Sequence, residues 1–156
     1  MRFNRRLKPF SAISFDLDDT LYNNTPVMLA TDKKMVRYFT EKLPELEFGN
    51  YDRHFWFTFR TQVLQQHPDL YHDVGQLRLQ SYCLGLKSLG FDESKAQLIA
   101  HEALAYFIEE RSNFSVPQAI HQLLTDLQKR WPLIAISNGN VDTGKIGLND
   151  YFVDVY

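Results

Sequence analysis

Residues 133–136 read Leu-Ile-Ala-Ile, and this fully apolar segment constrains the fold more than any other feature. A strand that is apolar on both faces is typical of a parallel sheet with helices on both sides. Two further short segments, 12–17 and 152–156, have the composition of strands. Because helical segments separate the three, we predict an α/β fold with a parallel sheet, a partial Rossmann-like core.

The long stretch between the first two strands has the pattern of four consecutive amphipathic helices. Apolar side chains recur at helical spacing in each of them, and proline, glycine or a capping aspartate marks the boundaries. The first predicted helix begins at Thr25-Pro26 and ends at Pro44, and the second covers 51–66. The third covers 73–89, and the fourth follows Asp92. We interpret this stretch as an α-helical bundle inserted into the core.

Two more helices are predicted after the bundle, one over the apolar positions 120–127 and a short one over 141–146. We therefore predict a discontinuous core formed by residues 1–22 and 115–156. Residues 23–114 form the predicted helical cap.

Charge and composition exclude several classes of protein. The 17 Lys and Arg residues nearly balance the 19 Asp and Glu residues, so no overall field attracts nucleic acid. The basic cluster Arg2, Arg5, Arg6 and Lys8 is interpreted as a solvated arm. Cys83 has no second cysteine to pair with, and no apolar segment approaches the ~20 residues of a membrane helix. We expect a cytoplasmic protein without a membrane partner, and the oligomeric state stays open.

Carboxylates directly after the first strand indicate a functional site. Asp16 and Asp18 are two positions apart, so an extended strand would point both to one face. Close carboxylates repel each other unless a cation neutralises their charge or a raised pKa keeps one of them protonated. One carboxylate can attack phosphorus while the other transfers a proton, and Mg²⁺ suits such oxygen ligands.

A second polar group, Ser-Asn-Gly at 137–139, directly follows the apolar strand. A hydroxyl, an amide and a backbone N–H freed by glycine can bind phosphate oxygens. Ligands of open α/β sheets bind at the carboxyl ends of strands. We therefore expect this group and the two aspartates to face the same crevice.

These motifs resemble those of the haloacid dehalogenase superfamily. Residues 15–22, Phe-Asp-Leu-Asp-Asp-Thr-Leu-Tyr, are similar to its first motif, and residues 136–139, Ile-Ser-Asn-Gly, to its second. The helical insertion lies where the helical-cap members carry their cap. Residues 71–74 and 131–140 are also similar to the bacterial flavin mononucleotide phosphatases of riboflavin metabolism.

The resemblance implies a role for each matching residue. Asp16 would be the nucleophile and a metal ligand, and Asp18 the general acid/base, with its backbone carbonyl also on the metal. Thr20 would steady the first loop at the substrate, while Ser137 and Asn138 would hold the phosphate. The implied cofactor is Mg²⁺, and an acid at position 18 favours a phosphatase or phosphomutase over a dehalogenase.

The family's third motif, a lysine, and its fourth, an acidic pair, are expected beyond Tyr156. Lys145 follows the second motif too closely and is interpreted as a surface lysine, and Asp142, Asp150 and Asp154 also come too early. The sequence thus resembles the N-terminal part of a longer protein. A protein ending at Tyr156 is expected to be inactive, because it would lack that lysine and the acidic metal ligands. It is also expected to be poorly soluble or self-associated, because its first strand would be an exposed edge.

The expected function is Mg²⁺-dependent hydrolysis of a small phosphomonoester through an aspartyl-phosphate. Flavin mononucleotide or another riboflavin-pathway phosphate is the expected substrate. A catalytically incomplete fragment, a non-catalytic binding protein and a phosphomutase are the alternatives. The aromatic run 55–59 either stacks on a flavin or fills the core, and its helical pattern favours the core.

Overall fold

The computed structural model describes residues 9–44 and 51–156, so the predicted basic arm at Arg2–Lys8 lies outside the described residues. Within these ranges the sheet has three strands, β1 (Ile13–Phe15), β2 (Leu133–Ala135) and β3 (Asp154–Val155). All pairings are parallel and the order is β1-β2-β3. The predicted α/β fold is confirmed, with β2 in the centre and the carboxyl ends of β1 and β2 side by side.

The predicted run of helices lies between β1 and β2. Five α-helices are found in the described residues: α1 (Asn24–Lys42), α2 (Arg53–Gln66), α3 (Val74–Ser88), α4 (Glu93–Arg111) and α5 (Gln118–Gln128). Short 3-10 helices cover Pro68–His72 and Asn149–Tyr151. Among residues 9–44 and 51–156, none of the helices has the length and apolarity needed to cross a bilayer.

Aspartates begin three of the helices. Asp52, Asp73 and Asp92 each accept a hydrogen bond from the backbone N–H three positions further on, at 2.9–3.0 Å. Such caps satisfy a donor that the first helical turn leaves unpaired. The sequence therefore determines these three starting points locally.

The predicted N-cap of α1 at Thr25, with Pro26 as the first helical residue, is wrong by two residues. The Asn23 side chain accepts the Thr25 N–H at 3.0 Å and is the N-cap, so the helix begins at Asn24. Pro26 is tolerated because the N–H groups of the first turn lack a partner within the helix.

The predicted helix over 141–146 is also wrong. The Asp142 side chain accepts the N–H groups of Gly144 at 2.9 Å and Lys145 at 3.1 Å, which closes a turn instead. Gly147 then adopts a φ of +71°, a left-handed conformation that favours glycine. Local side-chain hydrogen bonds thus compete successfully with the short helix.

Apolar side chains of the described residues form two separate clusters. The cap cluster contains Phe39, Trp56, Tyr82 and Phe107 and joins α1 to α4. Phe55 and Phe59 pack against this cluster, which confirms the core interpretation for this part of the aromatic run. The sheet cluster joins the strands to α5, and its buried members are Leu17, Leu21, Tyr22, Val116, Leu124, Leu133, Ala135, Ile146 and Leu148. The domain boundaries at 22/23 and 114/115 stay a prediction.

Candidate active site

The chain turns sharply after β1. The Leu17 carbonyl accepts the N–H groups of Thr20 at 3.3 Å and Leu21 at 2.9 Å, and the Leu17 side chain is fully buried. Asp19 has a φ of +57° and its carboxylate accepts the Asn24 N–H at 2.8 Å, which links the turn to α1. Strand alternation therefore ends at Phe15, and the expectation that Asp16 and Asp18 point to one face of a strand does not apply.

Asp16 lies one residue beyond β1 and is exposed. Its Oδ1 accepts the N–H of Leu17 at 2.8 Å, which fixes the orientation of the carboxylate at the strand end. The side chain is therefore accessible to a substrate arriving at this edge of the sheet. Its predicted role as nucleophile stays a prediction.

Asp18 is half-buried and held at both carboxylate oxygens. Oδ1 accepts the Tyr22 hydroxyl at 2.6 Å, and Oδ2 forms an ion pair with Arg111. Burial, and next the hydrogen bond to Asp18, raise the pKa of Tyr22 far above its usual value, so Tyr22 donates as a neutral phenol. Asp18 therefore has a fixed orientation.

Sequence reasoning missed Arg111. This arginine is the last residue of α4, and its side chain is only 4% exposed. Nη1 is buried and makes no hydrogen bond to the part of the chain that the structure describes. A basic residue in a last helical turn ordinarily complements the helix dipole, so no sequence signal marks its contact with Asp18.

The loop after β2 packs directly against Asp18. The Ser137 hydroxyl accepts the Gly139 N–H at 3.0 Å, which curves the loop. A Cβ atom at Gly139 would lie 2.9 Å from Asp18 Oδ2 and 3.0 Å from Arg111 Nη2, closer than a side chain tolerates. The two polar loops predicted to share a crevice do meet, and a Cβ atom at position 139 would require the loop or the Asp18 side chain to shift.

Thr20 and Asn138 are exposed on these loops. Their predicted substrate contacts stay predictions. Lys145 is 41% exposed and forms an ion pair with Glu109 of α4, which agrees with its interpretation as a surface lysine.

Residues at the ends of two cap helices contact the loop after β2. At the start of α3, a Cβ atom at Gly75 would lie 3.2 Å from Asn140 Nδ2. At the end of α4, the Ser112 hydroxyl accepts the Asp142 N–H at 2.9 Å. Cap and core therefore meet beside the crevice rather than away from it.

A cavity of about 290 Å³ lies within the cap, between α1, α2 and α3. Its lining combines aromatic rings, among them Trp56 and Tyr82, with charged side chains. Val74 also lines it, and the next residue, Gly75, adjoins the second loop. One wall of the cavity thus belongs to the segment that borders the crevice.

Three arginines and one aspartate give the cavity its charge. Arg78 stacks on the Phe107 ring, with its guanidinium carbon 3.6 Å from the ring centroid. Arg53 Nη1 lies 3.8 Å from Asp32 Oδ2. Burial raises the pKa of Asp32, and the charges of Arg53 and Arg78 oppose that shift. Together with Arg60, these side chains leave an excess of positive charge.

Two oxygen donors at the end of β1 are candidate metal ligands. Among them, no group of three or more His, Cys, Asp or Glu side chains converges on one point. The exposed Asp16 carboxylate and the Asp18 backbone carbonyl are oxygen donors of the kind that Mg²⁺ prefers. They fit Mg²⁺ as two of its ligands.

Comparison with known proteins connects this site to a family. The chain is 40% identical over 153 residues to the 5-amino-6-(5-phospho-D-ribitylamino)uracil phosphatase YigB of Escherichia coli strain K12. Its fold matches a crystal structure of 2-haloacid dehalogenase from Pseudomonas syringae pv. Tomato DC3000 with a TM-score of 0.86 and 27% identity over 94% of the chain. In fold the chain matches a haloacid dehalogenase, and in sequence it is similar to the YigB phosphatase. No protein-family model matches it.

A second solved structure supports the fold alone. YfnB from Bacillus subtilis, described as a HAD-hydrolase and crystallised with magnesium, superposes with a TM-score of 0.57 at 15% identity, over 96% of this chain and 64% of that one. The chain spans 63% of the length of YigB, with 97% of its own residues aligned, and 63% of the dehalogenase chain.

Proposed function

We propose that this chain carries the nucleophile and the general acid/base of a phosphatase that hydrolyses a small phosphomonoester. The contact between the Asp18 turn and the Gly139 loop is the observation that carries the proposal. It brings two acidic residues, a hydroxyl and a glycine loop to the carboxyl ends of neighbouring parallel strands, where α/β proteins bind ligands. The name of the 40% identical relative, a phosphatase, supports the same reaction class.

In the proposed reaction, an Asp16 oxygen attacks phosphorus and the bond to the ester oxygen breaks. Asp18 gives its proton to that leaving oxygen, and the product alcohol departs. Asp18 then takes a proton from water, whose oxygen attacks phosphorus and displaces the Asp16 carboxylate. Inorganic phosphate is released and both aspartates return to their starting state.

The second loop holds the phosphoryl group in this proposal. The Ser137 hydroxyl accepts from Gly139 and can donate its own proton to a phosphoryl oxygen. The missing Cβ at Gly139 lets the backbone approach the Asp18 carboxylate closely. Asp16 and the Asp18 carbonyl would hold Mg²⁺, which would neutralise charge on the phosphate when bound.

The proposed substrate is a riboflavin-pathway phosphate, and the cap cavity would receive its non-phosphate part. At about 290 Å³, the cavity lies at the small end of the range for ligand pockets. A single pyrimidine ring with polar substituents suits this volume better than the three-ring flavin. Arginines beside aromatic rings provide hydrogen-bond donors and a stacking surface for such a ring.

Phosphate release by the full-length protein tests this proposal. The panel contains 5-amino-6-(5-phospho-D-ribitylamino)uracil, flavin mononucleotide, and sugar and nucleotide monophosphates, each with Mg²⁺ and with a chelator. We expect the highest kcat/KM on the pyrimidine phosphate, and loss of release on chelation that Mg²⁺ reverses. Absence of release from every ester would contradict a phosphatase, and transfer of phosphate to another hydroxyl would indicate a phosphomutase.

A substitution in the cap cavity tests whether substrate binding can be weakened without changing the chemical step. Arg78→Met removes a cavity charge and should raise KM for the pyrimidine phosphate while leaving 4-nitrophenyl phosphate turnover unchanged. Arg37→Met, an exposed α1 position outside the cavity lining, is the matched control. Equal KM values in both variants would place the substrate elsewhere.

A further inference from the structure

We propose that Asp32 and Arg78 in the cap cavity recognise a ring in which an N–H group adjoins a carbonyl group, as in a pyrimidinedione. In this assignment Asp32 accepts a hydrogen bond from the ring N–H, and Arg78 donates one to the ring carbonyl. The inference rests on the proposed function, because the ring is the non-phosphate part of the proposed substrate.

The Asp32 carboxylate has an unused capacity to accept hydrogen bonds. It lines the cap cavity, and its side chain is 21% exposed. It accepts no hydrogen bond from the part of the chain that the structure describes, and its ion pair with Arg53 spans 3.8 Å, longer than a hydrogen bond. Because a half-buried carboxylate is stabilised by a donor, a ligand N–H in the cavity would supply what the described residues do not.

The Arg78 guanidinium has a fixed orientation and few acceptors. Its carbon atom lies 3.6 Å from the centroid of the Phe107 ring, so one face of the guanidinium is covered. Nε makes no hydrogen bond to the described residues, and Nη1 donates to the Tyr82 hydroxyl at the long distance of 3.5 Å. A stacked guanidinium presents its N–H groups along its edge, where a ligand carbonyl can accept from them.

The opposite charges of these two side chains select the class of ligand. A purely anionic group would be repelled by Asp32, and a cationic group would be repelled by the three arginines that line the cavity, Arg53, Arg60 and Arg78. A neutral ring with both an N–H and a carbonyl satisfies both kinds of side chain, and the aromatic lining packs against its faces. The cavity therefore fits a neutral heteroaromatic ring better than the phosphate itself.

The depth of the cavity leaves room for a chain between the ring and the phosphate. Asp32 lies eight positions after Asn24, whose N–H binds the Asp19 carboxylate, so it is about 12 Å further along α1. Arg78 lies three positions after Gly75, the residue beside the loop after β2, and is about 4.5 Å further along α3. A ring held by both side chains would thus lie one to two helical turns from the strand ends. The recognised substrate is therefore a phosphate ester on a chain attached to the ring.

Binding of phosphate-free rings to the full-length protein, measured by isothermal titration calorimetry, tests the inference. The two probes are 6-(D-ribitylamino)uracil and its N3-methyl derivative, in which a methyl group replaces the proton of the ring N–H. Asp32→Leu removes the acceptor at nearly constant size, and Asp32→Asn keeps one oxygen acceptor. Glu41→Gln, an exposed α1 position outside the cavity lining, is the matched control. Melting temperatures show whether each variant is folded.

We expect wild type and Glu41→Gln to bind the parent ring at least about tenfold more tightly than the N3-methyl ring, since methylation removes a hydrogen bond to a charged group. The two rings should bind Asp32→Leu with nearly equal Kd, and Asp32→Asn should give an intermediate ratio. Arg78→Met should weaken both rings alike, by about tenfold, because both keep the carbonyl.

A wild-type ratio that persists in Asp32→Leu would overturn the inference, because the methyl group would then be rejected elsewhere. An equal loss of affinity for both rings in Asp32→Leu would leave Asp32 a residue that only orients the arginines. If Asp32→Leu does not fold, the ratio for Asp32→Asn decides the question and must fall below that of wild type. Wild type that binds neither ring would refute this inference, whereas absence of phosphate release from every ester would refute the proposed function, so the two failures are distinguishable.

Discussion

The cap cluster and the sheet cluster differ in the kind of apolar side chain that they bury. In the cap, ring centroids of Phe39 and Trp56 are 4.3 Å apart, and those of Trp56 and Tyr82 are 5.0 Å apart. In the sheet cluster the buried side chains are aliphatic apart from Tyr22. The described strands are two or three residues long, and Ile136 and Val153, which lie next to them, are 54% and 69% exposed. The four cap helices pack on each other, whereas the strands are covered only in part.

The polar groups proposed to act on the substrate phosphate lie at the strand ends. The turn after β1 and the loop after β2 carry the carboxylates, the hydroxyl and the close glycine contact, while the cap cluster is built from apolar side chains. The cap adds Arg111 at its edge and a charged cavity. This comparison predicts separable effects: substitutions in the cap cluster should act mainly on stability, and substitutions at the strand ends mainly on turnover.

The largest expected effect comes from the strand end. Asp16→Asn removes the proposed nucleophile and should reduce phosphate release below detection, while the melting temperature stays near that of wild type because Asp16 is exposed. Asp18→Asn should lower kcat by ~10²–10⁴-fold. Asp126→Asn, an exposed position on α5, is the control for loss of a carboxylate and should leave turnover unchanged. Turnover by Asp16→Asn above a few per cent of wild type would remove Asp16 from this role.

A substitution in the cap cluster should lower stability and leave kcat per folded molecule unchanged. Phe39 is fully buried among aromatic rings, so Phe39→Ala should lower the free energy of unfolding by about 3–5 kcal/mol. Urea unfolding in a Trp131→Phe background, where Trp56 reports the cap, measures this change. Leu29→Ala, 55% exposed on the same helix, should stay within about 0.5 kcal/mol of its parent. A loss of kcat per folded molecule in Phe39→Ala would break the separation between the regions.

A smaller effect is expected where the regions meet. Gly139→Ala places a methyl group 2.9 Å from Asp18 Oδ2, so either the loop or the carboxylate must shift. Displacement on this scale should lower kcat by about 10²-fold with little change in stability. Gly144→Ala, further along the same loop, should be nearly neutral for kcat. Wild-type kcat in Gly139→Ala would show that this contact is not needed for turnover.

Local signals explain which parts of the fold could be predicted. The aspartate caps and the apolar spacing that define α2, α3 and α4 depend only on residues close together in the sequence. The same is true of the fully apolar β2. The prediction of a helix over 141–146 is wrong because the Asp142 side chain accepts the backbone N–H groups of the turn. In a short segment, such side-chain hydrogen bonds compete successfully with those of a helix.

The candidate site was predictable only in part. Asp16, Asp18 and Ser137 follow strands and carry recognisable motif spacing. Arg111 lies 93 positions from its partner Asp18, and its pairing depends on how α4 packs against the loops. Contacts of this kind arise from tertiary packing, so periodicity and motifs do not indicate them.

Trapping the covalent intermediate tests the central claim, that chemistry resides at the end of β1, most directly. The full-length protein is mixed with a phosphate-labelled substrate and Mg²⁺, quenched in acid within one turnover, and mapped by peptide mass spectrometry. The account predicts a phosphoryl group on the peptide that contains Asp16, and its absence in Asp16→Asn. A label on another residue, or hydrolysis without any labelled protein at times shorter than one turnover, would contradict it.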